Sequence, residues 1–88
     1  MKIIFTEHAK FEALRRGIAE DLIISVIERP QQRLMSKKGR IIAQSKYYDK
    51  IEGKEMLLRV VVIESAGNYK VITVYKTSRS DKYWIKGG

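Results

Sequence analysis

The first third of the chain repeats hydrophobic and polar positions with the spacing of short helices. Thr6 has the side chain of a good N-cap, and Glu7 places a negative charge in the first turn, where the helix dipole favours it. Gly17 follows Arg15 and Arg16, as is typical of a residue just beyond a helix C-terminus. The pattern therefore predicts a first helix over residues 7–16.

A second helix is predicted almost immediately afterwards. Glu20 and Asp21 supply the acidic first turn, and Pro30 disfavours helical geometry at the residue before it. Apolar residues recur on one face of this segment, namely Leu22, Ile23, Val26 and Ile27. Two short helices joined by a tight turn need a further layer to cover their apolar faces.

The remainder of the chain has the pattern of strands separated by polar turns. Residues 40–48 alternate between two faces, and residues 55–64 form the most apolar segment, which predicts a central strand. The predicted strands are 32–35, 40–48, 55–64 and 69–75, with turns at 36–39, 49–54 and 66–68.

These elements predict an α+β fold in a single domain, residues 1–88. Two N-terminal helices are expected to pack on one face of a three- to four-stranded antiparallel sheet. A short C-terminal helix is expected to begin at Ser78 or Ser80.

Composition narrows the range of functions. The chain has no cysteine and one histidine, so disulfides, thiolate zinc sites and a histidine-rich metal site are excluded, and we expect neither metal nor cofactor. No segment is long and apolar enough to span a membrane, and no signal peptide is evident, which predicts a cytoplasmic protein. The net charge of +8 favours a polyanionic partner such as RNA, with an acidic protein as the alternative.

A polar stripe on the first helix contains the single histidine. His8, Glu12 and either Arg15 or Arg16 follow one another at three- and four-residue spacings, which places them on one side. His8 could act as general acid or base, with Glu12 orienting it and an arginine holding a phosphate. The structural alternative is a solvated helix face with an ion pair between Glu12 and Arg16.

A second group of candidate residues lies where the last main strand ends. Lys76 and Arg79 can bind phosphate, Thr77 and Ser78 can donate hydroxyl hydrogen bonds to it, and Tyr75 precedes them. The alternative is a strand end that leads into a helix cap. Both interpretations stay open from the sequence.

Aromatic side chains and cations are interleaved in the sheet and near the C-terminus. Tyr83 and Trp84 could stack bases, although a tryptophan in a small domain more often covers the core. Arg59 interrupts the most apolar strand, which is costly unless the cation is paired or faces a site. If it faces away from the helices, Arg59 could form an RNA-binding surface with Lys76 and with Arg40 or Lys46; an ordinary solvated arginine is the alternative.

The two ends of the chain together resemble a known group of proteins. Thr6-x-His8-Ala9, the later Arg16-Gly17-Ile18 and the strand end 75–78 resemble small prokaryotic domains related to BrnT. These are grouped with the RelE-like toxins and with the barnase, EndoU and colicin-type ribonuclease fold. The resemblance implies N-terminal helices on an antiparallel sheet and a metal-independent endoribonuclease neutralised by an antitoxin.

The leading hypothesis is therefore RNA cleavage through attack by the 2′-OH, with His8 as acid or base and with Lys76 and Arg59 stabilising charge. Further RNA- or phosphate-binding candidates are Arg15, Arg16, Arg40, Lys46, Tyr75, Thr77, Ser78, Arg79 and Tyr83. The alternative is a non-catalytic basic module that binds nucleic acid or an acidic protein. The expected partners are RNA and an acidic antitoxin, with a homodimer through an edge strand as a further candidate.

Overall fold

The fold is that of a computed structural model, which describes residues 2–86. Met1, Gly87 and Gly88, which the predicted domain includes, lie outside these described residues. The elements in chain order are β1 (Ile3–Phe5), α1 (Glu7–Arg16), α2 (Glu20–Glu28), β2 (Gln32–Met35), β3 (Arg40–Asp49), β4 (Lys54–Ser65), β5 (Asn68–Thr77) and α3 (Ser80–Tyr83). Among these residues, no helix is long and apolar enough to cross a membrane.

The strands form one five-stranded sheet in the order β1-β5-β4-β3-β2. Neighbours from β2 to β5 are antiparallel, whereas β1 runs parallel to β5 at the sheet edge. The α+β class and the central position of β4 are confirmed. The expectation of a wholly antiparallel sheet of three to four strands is wrong, because the short segment at the N-terminus adds a fifth, parallel strand.

The core lies between the two N-terminal helices and one face of the sheet. It is formed by apolar side chains from α1, α2 and the three long strands, namely Ala9, Ala13, Ile18, Ile23, Val26, Ile27, Ile41, Ala43, Leu58, Val60, Val62, Val71 and Val74. The alternation of β3 and β4 sends every second side chain into this core and the others to the opposite face. We call these the helix side and the outer face of the sheet.

Helix α1 is fixed to the sheet at both of its ends. Thr6 accepts a hydrogen bond from the Ala9 amide as N-cap, and its hydroxyl donates to the Ile72 carbonyl at a bulge in β5. At the other end Gly17 adopts a left-handed conformation, φ 67°, and closes the helix. A Cβ at Gly17 would stand 2.8 Å from Ile51 Cδ1, so the helix end packs closely on the loop after β3.

Candidate nucleic-acid interface

Arg59 lies in the middle of the outer face, where the alternation of β4 places it. Its register neighbours are Gln44 on β3 and Tyr75 on β5. Its Nε donates to Gln44 Oε1 over 2.8 Å, and its Nη1 donates to the Tyr75 hydroxyl. The sheet pairing thus assembles three polar side chains in one row across the centre of the outer face.

The outer face is not open at this point. Arg59 is only 7% exposed, because the chain after β5 crosses over it. The Tyr83 ring lies on the guanidinium, with 4.3 Å from Arg59 Cζ to the ring centroid, and it meets the Tyr75 ring edge-on. The expectation of an exposed arginine platform is therefore wrong, as is the alternative of an ordinary solvated arginine.

We call residues 80–85, which form this cover, the C-terminal strap. Gln44 Nε2 donates to the Tyr83 carbonyl over 3.1 Å. Gln32 exchanges two hydrogen bonds with the Ile85 backbone, at 2.8 Å from Nε2 to the carbonyl and 3.0 Å from the amide to Oε1. The strap is therefore attached to the sheet by side-chain amides and by cation–π contacts of Tyr83 and Trp84.

Half-buried and exposed cations and aromatic rings lie beside this covered centre. Lys46 Nζ lies 4.2 Å from the centroid of the Trp84 ring. Tyr48, two residues further along the same face of β3, is 67% exposed. Arg79, just before the strap, and Lys82, within it, are both exposed. Aromatic faces beside cations are the combination that stacks bases while neutralising phosphates.

The helix side carries a different polar cluster, at the end of β5. Lys76 Nζ donates to Asp49 Oδ2 over 2.8 Å and lies 3.9 Å from Glu52. Tyr47 donates its hydroxyl to the same Asp49 oxygen over 2.7 Å. The amides of Ile51 and Glu52 donate to Asp49 Oδ1. The hydrogen bonds from Lys76, Tyr47 and the Glu52 amide hold the pKa of the Asp49 carboxyl well below its usual range.

Asp49 in turn affects Tyr47. Burial, followed by the hydrogen bond to Asp49, raises the pKa of the Tyr47 phenol far above its ordinary value. The phenol therefore stays protonated at neutral pH and serves as a donor. Because Lys76 is matched by carboxylates at close range, this cluster is electrically satisfied and presents no spare cation to a phosphate.

Glu12 forms a third charged group, near the end of α1. Both Arg15 and Arg16 donate to its carboxylate at 2.8 Å. These hydrogen bonds, the one from Arg15 first, lower the pKa of Glu12. The structural alternative for this stripe, an ion pair between Glu12 and Arg16, is thus realised, and Glu12 is not positioned to orient His8.

His8 lies apart from the two cations with which it was expected to act. It is exposed in the first turn of α1, beside Ala9, which points into the core. Thr6 fixes this end of the helix at Ile72. Lys76 lies four residues further along β5, about 13 Å from Ile72 at the usual rise per residue of a strand. Arg59 is on the opposite side of the sheet, so the structure does not bring His8, Lys76 and Arg59 together.

The predicted site residues therefore divide between the two sides of the sheet. His8, Arg15, Arg16 and Lys76 lie on the helix side. The alternation of the strands places five of them on the outer face, namely Arg40, Lys46, Arg59, Tyr75 and Thr77. Ser78 and Arg79 lie just before the strap, and Tyr83 lies within it. The outer face thus unites most of the residues proposed to bind RNA.

Comparison with protein families gives one match. The model of a domain of unknown function, DUF4258, matches residues 5–76. The chain belongs to the DUF4258 family. No curated protein and no solved structure matches it. The DUF4258 match ends at Lys76, so the strap that covers Arg59 follows the matched region.

Sequence reasoning missed the polar side chains that organise these clusters, above all Gln32, Gln44 and Asp49. Gln32 and Gln44 are register partners on β2 and β3, and an alternating strand gives no sign that such polar side chains will be buried by a later segment. The turn at 49–54 is predicted from the sequence, but the sequence does not show that the Asp49 carboxylate is buried at the end of β3. Its pairing with Lys76, 27 residues away, has no local signature.

Proposed function

We propose that this DUF4258 domain binds single-stranded RNA through the outer face of its sheet. The observation that carries the proposal is the half-buried pair of Lys46 and Trp84 beside the exposed Tyr48 ring, on a chain of net charge +8. Stacking on aromatic rings contributes about 1–3 kcal/mol per base, and cations add the salt-dependent attraction to phosphate.

The unpaired charge of Arg59 also supports RNA binding at the outer face. Within residues 2–86 its guanidinium forms no ion pair, and its two hydrogen-bond partners, Gln44 and Tyr75, are neutral. A buried cation with neutral partners retains its full charge, which is costly in a protein interior. A phosphate group near Arg59 would lower the cost of burying its charge. At Lys76 that cost is already lowered by the carboxylates of Asp49 and Glu52.

The test is binding of a fluorescently labelled oligouridylate of eight nucleotides, measured by anisotropy over a series of salt concentrations. The account predicts that Lys46→Ala weakens binding and lowers the salt slope by about 0.7, the value for one contact to a single strand. Lys10→Ala removes an exposed lysine from α1 on the helix side and serves as the control of equal charge. Equal losses from both variants would show attraction to overall charge, and would contradict a defined interface.

Polyglutamate distinguishes RNA from an acidic protein partner. It offers negative charge without bases, so we expect it to compete weakly with the oligouridylate. Competition at equal charge concentration would favour the acidic partner that the sequence left as an alternative. The acidic antitoxin and the homodimer through an edge strand stay predictions.

A second candidate is metal-independent cleavage of RNA, the toxin-type activity that the resemblance to BrnT and RelE domains implies. What favours it is that His8 is exposed and that, within residues 2–86, its imidazole has no hydrogen-bond partner, so it is available to a substrate. The 2′-oxygen would bond to phosphorus as the bond to the 5′-oxygen breaks, with His8 taking or supplying a proton. Arg59 would take no part in that reaction, because it lies across the sheet.

This candidate is tested by incubating total RNA with the protein in excess EDTA. Cleavage that persists in EDTA and disappears in a folded His8→Ala variant would establish it. RNA binding with intact RNA would leave the binding module as the function.

A further inference from the structure

The strap makes contacts with the outer face that resemble those of a bound nucleotide. The Tyr83 ring stacks on the Arg59 guanidinium at 4.3 Å, the arrangement in which arginine also receives a base. The same guanidinium retains hydrogen-bonding capacity, since Nη2 takes part in neither of the bonds to Gln44 and Tyr75. Every buried polar side-chain atom in the described part of the chain has a hydrogen-bond partner, so Nη2 reaches solvent.

Two glutamine amides complete the arrangement. Gln32 accepts a hydrogen bond from the Ile85 amide and donates one to the Ile85 carbonyl, and Gln44 donates to the Tyr83 carbonyl. Gln44 is fully buried, and its amide also donates to Gln32 Oε1 over 2.7 Å, which fixes both side chains. An adjacent donor and acceptor, as in the Ile85 peptide group, are what the edge of a nucleobase presents.

The strap itself is built to separate from this surface. None of the residues in α3 is buried, Ile85 is exposed, and Tyr83 and Trp84 are half-buried, so solvent reaches every residue of the strap. Its attachments are hydrogen bonds and cation–π contacts, each of which contributes little net free energy. It also follows the region matched by the family model, residues 5–76.

We propose that Arg59, Gln44 and Gln32 form a nucleotide-binding subsite that the chain's own C-terminal strap occupies, with Tyr83 where a base would stack. The proposal rests on the proposed function and adds its regulation, because RNA and the strap compete for the same groups. If the site is available only when the strap is open, the apparent affinity is the affinity of the open form multiplied by the fraction of molecules that are open. Weakening the strap should therefore tighten RNA binding, the opposite of what the loss of an ordinary contact would do.

The experiment measures the affinity for the labelled eight-nucleotide oligouridylate in five proteins: the full chain, Tyr83→Ala, Ile85→Pro, Tyr83→Ala combined with Arg59→Ala, and a tyrosine control. Ile85→Pro removes the amide that donates to Gln32 and keeps Trp84 in the chain. We expect Tyr83→Ala to bind roughly tenfold more tightly, as loss of a desolvated cation–π contact would open the site. Ile85→Pro should also bind more tightly, by a smaller factor, because it removes one hydrogen bond of the strap. Adding Arg59→Ala to Tyr83→Ala should abolish the gain. Tyr48→Ala is the matched tyrosine control and should bring no gain, and circular dichroism confirms that each variant is folded.

The outcomes separate this inference from the proposed function. Tighter binding in both strap variants, reversed by Arg59→Ala, supports the subsite. Unchanged or weaker binding in both, with the full chain still binding RNA, overturns the subsite and leaves the outer-face function standing. Failure of every variant to bind overturns both.

Discussion

Arg59 and Lys76 are buried cations on adjacent strands, and their surroundings differ in one decisive respect. Lys76 lies on the helix side, and its ammonium is matched by the carboxylates of Asp49 and Glu52. Arg59 lies on the outer face beside amides and phenols, with no carboxylate paired to it in the described residues. A compensated charge stabilises the fold, whereas an uncompensated one is suited to an anionic ligand.

The largest expected effect is a loss of stability from Asp49→Ala. The change leaves the Lys76 ammonium buried beside a single, more distant carboxylate, and frees the Tyr47 hydroxyl and two loop amides. Urea unfolding should give the lowest midpoint of the variants considered. Glu52→Gln, which changes only the 3.9 Å partner, is the control and should change the midpoint little.

Arg59→Met should have a smaller effect on stability and a larger one on binding. It leaves the Gln44 and Tyr75 oxygens without their donor, at a cost of about 1–3 kcal/mol, but strands no opposite charge. Because a charge-assisted hydrogen bond contributes about 1.5–3 kcal/mol, oligouridylate affinity should fall about tenfold or more when Arg59→Met is made in the Tyr83→Ala protein, in which the ring no longer covers Arg59. A stability loss as large as that of Asp49→Ala would contradict the contrast between the two cations.

The pH dependence should come from the helix side. Because the pKa of Asp49 is lower in the folded chain than its ordinary value of 3.8, its stabilisation is present above that value. It is lost as the pH falls towards the folded value, and Glu12, also lowered, adds in the same direction. Urea unfolding from about pH 6 to pH 3 should show stability declining with acid. Asp49→Asn should flatten this decline; an unchanged slope would contradict the assignment.

The smallest effect is expected from Lys46→Ala, which removes one partly exposed cation–π contact to Trp84, worth about 0.5–1 kcal/mol. Trp84 is the single tryptophan, so its fluorescence reports directly on the strap. We expect a shifted emission maximum with almost unchanged global stability. An identical spectrum in both proteins would show that Lys46 does not hold the ring.

What the sequence could predict was local. The bounds of α1 follow from its caps at Thr6 and Gly17, and the alternation of β3 and β4 predicts which residues share a face. Which of the two faces meets the helices, and so the side on which Arg59 lies, stayed open from the sequence. Strand β1 was missed because three apolar residues carry no period, and its partner β5 lies more than sixty residues later.

The covered state of Arg59 and the pairing of Lys76 also lay beyond the sequence. The strap attaches through polar contacts from Tyr83 to Ile85, which leave no hydrophobic pattern along the chain. The bond from Lys76 to Asp49 depends on the close packing of strands that are distant in sequence. Residue types alone could not show which of two buried cations would be neutralised.

The most direct test of the outer-face account is a ¹H–¹⁵N NMR titration of the full chain with the eight-nucleotide oligouridylate. The account predicts shifts at the Arg59 Nε–H, at the side-chain amide of Gln44 and at the Trp84 indole, with the signals of Ala9 and Asp49 unchanged. Shifts concentrated around His8 and the end of α1, with the Arg59 signal unmoved, would contradict it and place the RNA on the helix side.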